Sequence, residues 1–124
     1  MRSLFGILAL ATCLTAPGQA QKVDSRAVGL WGSEDSVSAD GLLLSPDGTF
    51  RQVILVPGKT PSYTTGTWWV DGSKMCMHFK TPLPASFCWS YTVTSEHRLF
   101  QGDAAYFPLN KNDRRVRLLE RGGT

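Results

Sequence analysis

Two cysteines, Cys76 and Cys88, stand on either side of a proline-rich turn at residues 81–84. Each lies in a run in which apolar and polar residues alternate, as in a half-buried β-strand. If the cysteines face each other across a hairpin, facing residues have numbers that sum to 164. The partners under this rule are Met75 with Trp89, Met77 with Phe87, and His78 with Ser86. Each pair joins apolar with apolar or polar with polar, so the sequence predicts a disulfide-linked antiparallel hairpin.

A structural disulfide is the interpretation that we favour for this cysteine pair. The bond closes a loop of about thirteen residues, for which chain-entropy estimates are about 3 kcal/mol. Redox-active cysteines usually stand closer, in a C-x-x-C motif, and structural disulfides persist mainly in oxidising compartments. A redox-active or metal-binding pair is the alternative. The favoured interpretation predicts an exported protein as well as a strand register.

Residues 1–20 have the layout of a secretory signal peptide: a single cation, Arg2, precedes an apolar run, and small residues up to Ala20 follow it. The run is about half of the ~20 residues that a transmembrane helix needs. We therefore expect cleavage after Ala20 and a periplasmic or secreted protein. The rival interpretation is a lipoprotein, because residues 10–13 resemble a lipobox in which Cys13 would be lipidated. Only in that case do we expect contact with a membrane.

Charge divides the rest of the chain into two parts. Residues 21–109 carry seven cations and eight anions, whereas residues 110–124 carry five cations and two anions. The length is typical of one small domain, so we expect a barrel domain over 21–109 and a basic strand or tail after it. Arg114, Arg115 and Arg117 are candidate contacts with an anionic surface. Because no aromatic stacking platform accompanies them, nucleic acid is not an expected partner.

Turn signals recur at short intervals, and the runs between them are rich in β-branched and aromatic residues, with no sustained helical period. The expected strands are Val28–Trp31, Leu42–Ser45, Thr49–Val56, Tyr63–Val70, Lys74–Lys80, Ala85–Thr94, Arg98–Gln101, Ala104–Pro108 and Arg115–Leu119. Two-residue links join only antiparallel neighbours. The expected fold class is all-β, a small antiparallel meander barrel or half-barrel of about eight strands. In the last run, Val116 and Leu118 are expected to face inward. Arg115 and Arg117 are then expected to face outward.

Three short motifs follow one another along the chain, namely Gly29-Leu30-Trp31, Asp47-Gly48-Thr49-Phe50 and Gly66-Thr67-Trp68. Their order resembles the G-x-W, D-G-T-F and G-x-W succession of small lipocalin-like barrels, including compact secreted bacterial β-proteins of unknown function. The resemblance covers about residues 27–109. It implies a barrel in which glycine allows close backbone approach and tryptophan plugs an end. It implies no particular ligand-binding residue.

A catalytic constellation is not apparent in this sequence. His78 lies two residues after Cys76 on the same strand face, but a disulfide would consume the thiol that a Cys-His pair needs. His97 follows Glu96 within a turn signal, and neither H-x-H nor H-E-x-x-H occurs. We therefore expect no catalytic residue, metal or cofactor. The alternative is a hydrolase or redox protein that uses Cys76, His78 or Glu96.

Aromatic side chains are the candidate binding residues. Trp68 and Trp69 are adjacent on one expected strand, so they point to opposite faces, and an outward tryptophan is a frequent binding hot spot. The candidate surface comprises Tyr63, Trp68, Trp69 and Trp31. The alternative is that loops or the tail cover both faces of the barrel.

Together these features predict an exported, non-catalytic and monomeric binding protein. Its partner is either a small apolar ligand inside a reduced barrel or a protein bound at the loop rim. One alternative is a periplasmic inhibitor or immunity-type protein that caps an enzyme, which is a fold-level analogy. Another is an envelope lipoprotein with a structural role.

Overall fold

The computed structural model describes residues 22–80 and 82–121. The expected signal peptide and the lipobox cysteine lie outside the described residues. A 3-10 turn at Ser25–Ala27 precedes eight strands and one helix. The strands are β1 Gly29–Glu34, β2 Ala39–Leu44, β3 Thr49–Leu55, β4 Ser62–Asp71, β5 Lys74–Phe79, β6 Ala85–Val93, β7 Leu99–Gln101 and β8 Ala104–Pro108, and the helix is α1 Arg114–Glu120.

Each strand pairs antiparallel with the next one along the chain, and β8 returns to pair with β1. The sheet therefore closes into an eight-stranded barrel, which confirms the predicted fold class. The links that make this meander are short: β4 and β5 are joined through Gly72, and β7 and β8 through Gly102. Both glycines have a positive φ, of 62° and 60°, which glycine adopts without the steric cost of a side chain.

The β5–β6 hairpin has the register that the cysteines predicted. Cys76 faces Cys88 and forms the disulfide with it, and the facing residues have numbers that sum to 164 throughout the pair. The side chain of Ser86 also meets its predicted partner His78, with 2.8 Å between Oγ and Nδ1. Alternation excludes a slip of one residue, which would turn every side chain to the other face, and the cysteine pair selects one register among those that remain.

Large apolar side chains fill the barrel interior. The buried members are Ala27, Trp31, Leu42, Leu44, Phe50, Trp68, Met75, Met77, Val93, Leu99 and Tyr106. The two tryptophans keep their indole N–H groups satisfied: Trp31 donates to the carbonyl of Ala27 at 2.7 Å, and Trp68 donates to that of Ser45 at 2.9 Å. Both hydrogen bonds tie a loop to the end of the barrel, so each tryptophan closes the interior rather than facing water.

Gly66 allows the backbones of β4 and β5 to approach each other closely. It lies between Phe50 on β3 and Phe79 on β5 in one row of paired residues. The rings of these two phenylalanines meet over it, with centroids 5.1 Å apart. A Cβ atom at Gly66 would lie 1.8 Å from the carbonyl oxygen of His78, so no other residue fits without a shift of the backbone.

The C-terminal run was predicted to be a ninth strand, and this prediction is wrong. Residues 114–120 form α1, which begins where the Asp113 side chain accepts a hydrogen bond from the Arg115 N–H, as an N-cap does. Val116 and Leu119, three positions apart, are buried on one face of the helix, whereas a strand would have buried Val116 with Leu118. The helix packs against the outside of β2 and β3.

The outer face of β2 and β3 is shaped to receive this helix. Gly41 has no Cβ atom, and this leaves space for Arg115 on the helix. The Cβ of Arg115 lies only 2.8 Å from the position that a Cβ at Gly41 would occupy. Val53 on β3 is fully buried under the helix, although its side chain lies on the outer face of the barrel. Arg51 donates from Nη1 to the carbonyl of Leu119 at 2.7 Å, which satisfies one of the free carbonyls at the helix end.

Candidate functional site

A groove lies between two connections at one rim of the barrel, and we call it the rim groove. It has a volume of about 810 Å³ and is lined by residues 34–39 of the β1–β2 hairpin, residues 55–61 after β3, and Arg114 at the start of α1. Ala39 and Leu55 face each other in the β2–β3 ladder. The two walls of the groove, residues 34–39 and 55–61, are therefore joined at its bottom by the β2–β3 ladder.

The β1–β2 wall of the groove is held by a side chain in its own turn. One carboxylate oxygen of Asp35 accepts hydrogen bonds from the N–H groups of Val37 and Ser38, each at 2.8 Å. These two hydrogen bonds lower the pKa of Asp35 below its usual range, because they favour the charged form. The turn therefore presents Val37, which is 65% exposed, from a fixed position.

The opposite corner of the groove is held by Arg115. Its guanidinium forms ion pairs with Asp113 at 2.8 Å and with Glu34 at 3.0 Å, and it donates to the carbonyl of Asp40 at 3.3 Å. It also lies 5.7 Å from the centre of the Phe107 ring. The hydrogen bond from Arg115 is the main cause of a lowered pKa at Asp113. Arg115 therefore fastens the start of α1 to the β1–β2 hairpin.

Arg115 is not exposed as the expected contact with an anionic surface would require, because its side chain is buried and already paired with two carboxylates. Arg114 and Arg117 are exposed, as that expectation requires. Arg117 donates to the carbonyl of Asn112 at 2.7 Å. These three arginines thus do not form one basic stripe: the helix turns Arg115 into the protein and leaves Arg114 beside the rim groove.

The charged side chains of the rim groove differ in their contacts. The carboxylate of Asp35 is occupied by backbone N–H groups, and that of Glu34 by Arg115. The side chains of Lys59 and Arg114 form no hydrogen bond or ion pair with the residues that the structure describes. The groove therefore offers two cations together with an apolar lining. That lining consists of Val37, Ala39, Leu55, Val56, Pro57 and Pro61.

The aromatic surface predicted from the sequence does not exist as one patch. Trp31 and Trp68 are each 1% exposed and lie inside the barrel, so they are not part of an exposed surface. Trp69 and Tyr63 point to the outer face of β4 and are half-buried. Trp69 faces Cys76 in the β4–β5 ladder, and it lies beside the disulfide.

A different aromatic row does reach the surface. The rings of Phe79 and Phe87 are 6.0 Å apart, and Phe87 stacks on Trp89 at 5.8 Å. Phe87 is 51% exposed although it lies on the inner face of β6. The alternating pattern of residues 85–93 correctly predicted that Phe87 lies on the inner face. It did not predict the exposure of Phe87, because that exposure depends on how far β7 extends along β6.

The candidate catalytic residues are not brought together. Cys76 is bonded to Cys88, so no thiol stands beside His78, and His78 contacts Ser86 instead. His97 lies in a turn with a positive φ of 63°, and its ring is 5.5 Å from that of Trp31 at a barrel end. No group of three His, Cys, Asp or Glu side chains among residues 22–80 and 82–121 is placed to hold a metal ion.

The segment before β1 is fixed to the barrel by a carboxylate that the sequence did not single out. Asp24 pairs with Arg26 at 2.7 Å and accepts a hydrogen bond from the Tyr91 hydroxyl, also at 2.7 Å. The hydrogen bond from Arg26 is the largest cause that lowers the pKa of Asp24 to about 2. These contacts join the segment before β1 to Tyr91 on β6, so their role is structural.

Two titratable groups lie on the inner face of the barrel wall. Burial raises the pKa of Tyr106 to about 12, and the charge of Asp40 adds to the shift. Burial likewise raises the pKa of Asp40, which lies two residues before the interior Leu42 on β2. Asp40 is thus a carboxylate that is held against the barrel wall without an ion pair among the described residues.

The fold and these sites define a small antiparallel β-barrel with a cross-strand disulfide, an external helix and a rim groove. No protein-family model, characterised protein or solved structure matches the chain. Within the described part of the chain, no helix is long and apolar enough to cross a membrane.

Proposed function

We propose that this protein is an exported, non-catalytic binding protein that holds a segment of a partner protein in the rim groove. The observation that carries the proposal is the groove itself, whose volume of about 810 Å³ falls in the usual range for binding sites. Asp35 holds the β1–β2 wall and Arg115 ties the start of α1 to it, so this side of the groove is ordered before a partner binds.

The chemistry of the groove favours a particular kind of segment. Lys59 and Arg114 are cations without a described partner, whereas the nearby carboxylates are already engaged. Val37 and Leu55 offer apolar contact area beside them. A segment that carries an apolar side chain next to an aspartate or glutamate would satisfy both features.

The exported location is supported by the disulfide between Cys76 and Cys88, because such bonds persist mainly in oxidising compartments. A ligand inside the barrel is less well supported. The interior holds Trp31, Trp68 and many aliphatic side chains in van der Waals contact, and a protein segment at the rim does not need to displace them.

Peptide display against the oxidised protein tests the proposal. Selected peptides are expected to combine an acidic and an apolar residue, and their affinity is measured by fluorescence anisotropy. The double variant Lys59→Glu with Arg114→Glu is expected to bind about tenfold more weakly, because two exposed ion pairs of ~0.2–1 kcal/mol each become repulsive.

Lys74→Glu with Lys22→Glu is the matched control, since it makes the same change of charge at exposed residues that do not line the groove. Equal binding by the groove variant and the control would refute the site. Selection of peptides that lack acidic residues would refute the assigned chemistry.

A further inference from the structure

Half of β6 has a strand on only one side. Along residues 85–90, β6 pairs with β5. It pairs with β7 only at Tyr91, Thr92 and Val93. The carbonyl of Ser90 is taken by the Gly102 N–H at 2.8 Å. Among the described residues, nothing pairs with the other side of Ala85–Trp89, which we call the open edge.

The disulfide shows which backbone groups point out from the open edge. The Cα atoms of Cys76 and Cys88 are 4.0 Å apart. Facing residues in antiparallel strands lie about 4.5 Å apart when they do not exchange hydrogen bonds, and about 5.5 Å apart when they do. Cys88 therefore directs its N–H and C=O away from β5. Because the pattern alternates, Ser86 does the same.

Two hydrogen bonds elsewhere in β6 agree with this assignment. The N–H of Tyr91 donates to Ser73 on the β5 side at 3.1 Å, as expected for an odd-numbered residue of this strand. The carbonyl of Ser90 points to the other side, towards Gly102, as expected for an even-numbered residue. The open edge thus presents four polar groups, the N–H and C=O of Ser86 and of Cys88.

The open edge lacks the features that protect strand edges from pairing. Residues 85–91 contain no charged residue and no proline, although lysine, proline and bulges usually guard such edges. Phe87, at its centre, is 51% exposed and stacks on Trp89. An uncharged edge with an exposed aromatic side chain is suited to pairing with another strand.

We propose that the open edge pairs with the same edge of a second copy of this chain, in an antiparallel and two-fold symmetric dimer. The two-fold axis passes between the two Phe87 residues. Ser86 of each copy then faces Cys88 of the other, and the four outward groups of each edge form four hydrogen bonds across the axis. The barrel sheets continue through the interface.

Only this register uses all of the outward groups. A shift of two residues in one direction brings Pro84 opposite Cys88, and proline has no N–H to donate. A shift in the other direction brings Ser90 opposite Ser86, where the β7–β8 turn already occupies the carbonyl of Ser90. The edge is therefore complementary to itself at one position, which is the condition for a symmetric dimer.

The side chains also fit this arrangement. Phe87 meets its copy at a position without hydrogen bonds, where side chains approach most closely and aromatic pairs are favourable. Ser86 and Cys88 lie on the outer face, where their partners on β5 are His78 and Cys76. No charged residue of the open edge is brought against its copy. The dimer differs from the monomer expected from the sequence, and the proposal does not rest on the function proposed for the rim groove.

Sedimentation velocity across a wide range of protein concentrations tests the dimer, because a short edge-to-edge interface dissociates on dilution. Ser86→Pro removes an outward N–H from each copy, and therefore two of the four hydrogen bonds, without removing a bond to β5. Phe87→Lys places two cations at the axis. Each change is expected to raise the dimer dissociation constant by about tenfold or more.

Two control variants separate this effect from general damage. Ser86→Ala removes the hydroxyl that meets His78 but keeps the backbone N–H, and Phe100→Lys adds the same charge at another exposed aromatic residue. Both are expected to dimerise as the unchanged protein does. Circular dichroism verifies that each variant retains the fold.

Hydrogen exchange provides a readout at the level of single amides. The N–H groups of Ser86 and Cys88 are expected to become protected as the concentration rises, whereas those of Phe87 and Trp89 are protected throughout by β5. A monomer at all concentrations would overturn the proposal. So would a dimer that Ser86→Pro and Phe87→Lys leave intact, or protection of Ser86 and Cys88 that appears only when an unrelated extended peptide is added.

Discussion

Replacement of Cys88 by Ser isolates the contribution of the disulfide to stability. The bond joins residues that are 12 positions apart, and the chain-entropy relation for a loop of about thirteen residues gives about 3 kcal/mol at 25 °C. The native register is fixed independently by the β5–β6 ladder. The loss is therefore expected to come mainly from the greater freedom of the unfolded chain.

The expected change in melting temperature follows from the size of the domain. An unfolding entropy of about 2.1 cal/mol/K per residue, over about 100 ordered residues, turns 3 kcal/mol into a decrease of about 14 °C. Thermal unfolding followed by circular dichroism in oxidising buffer measures it. The barrel itself is expected to remain, because the interior side chains around Met75 and Met77 are unchanged.

The unchanged protein in the presence of a reductant is the matched comparison for this variant. Since both lack the cross-link, both are expected to melt at nearly the same temperature, with Cys88→Ser insensitive to reductant. Equal melting of the oxidised protein and of Cys88→Ser would refute the reasoning. It would mean that the unfolded chain keeps the hairpin closed without the bond.

Three further changes probe the parts of the fold that hold the sites. Gly66→Ala is expected to lower the free energy of unfolding in urea by at least about 2 kcal/mol, because the new Cβ meets the His78 carbonyl; an unchanged midpoint would contradict the close approach. Asp113→Ala is expected to cost about 1–2 kcal/mol through loss of the N-cap, whereas Asp113→Asn, which keeps a capping oxygen, should lose less. Asp24 has a lowered pKa in the folded state, so its contribution is present above pH 3.8 and is lost as the pH falls towards about 2. Asp24→Asn should flatten the pH dependence of stability in that window, and an unaltered dependence would show that the pair with Arg26 contributes nothing.

The β5–β6 hairpin illustrates what local sequence information can predict. Its register follows from two alternating runs and a pair of cysteines that lie within thirteen residues of each other. The same holds for the turns at Gly72 and Gly102, where a short link forces antiparallel neighbours. In each case the interacting residues are close in the sequence, so few alternative pairings compete.

The C-terminal segment shows where such reasoning fails. Residues 115–119 fit a strand, with Val116 and Leu118 on one side, as well as a helix, with Val116 and Leu119 on one side. A run of five residues is too short for the period to discriminate. The gap above Gly41 and the carbonyl contact from Arg51 favour the helix, and both lie on strands far away in the chain.

The candidate sites depend even more on distant parts of the chain. The rim groove needs the β1–β2 turn, the connection after β3 and the start of α1 at one place. The sequence did not single out Lys59, and it singled out Arg114 only as one of three arginines near the C-terminus. Their place in the groove depends on nearby carboxylates that already accept hydrogen bonds from Arg115 and from backbone N–H groups. The exposed position of Phe87 depends on the short length of β7.

The sequence by itself determined the all-β class, the antiparallel meander of about eight strands and the register of the disulfide hairpin, because turns, alternation and cysteine spacing act over short stretches of chain. The tertiary structure decided that the barrel closes, that α1 covers the outer face of β2 and β3, that Trp31 and Trp68 are internal, and that no other described strand pairs with the open edge of β6. These features arise when strands far apart in the sequence share one sheet. Packing and pairing between distant residues leave no local pattern from which they could be predicted.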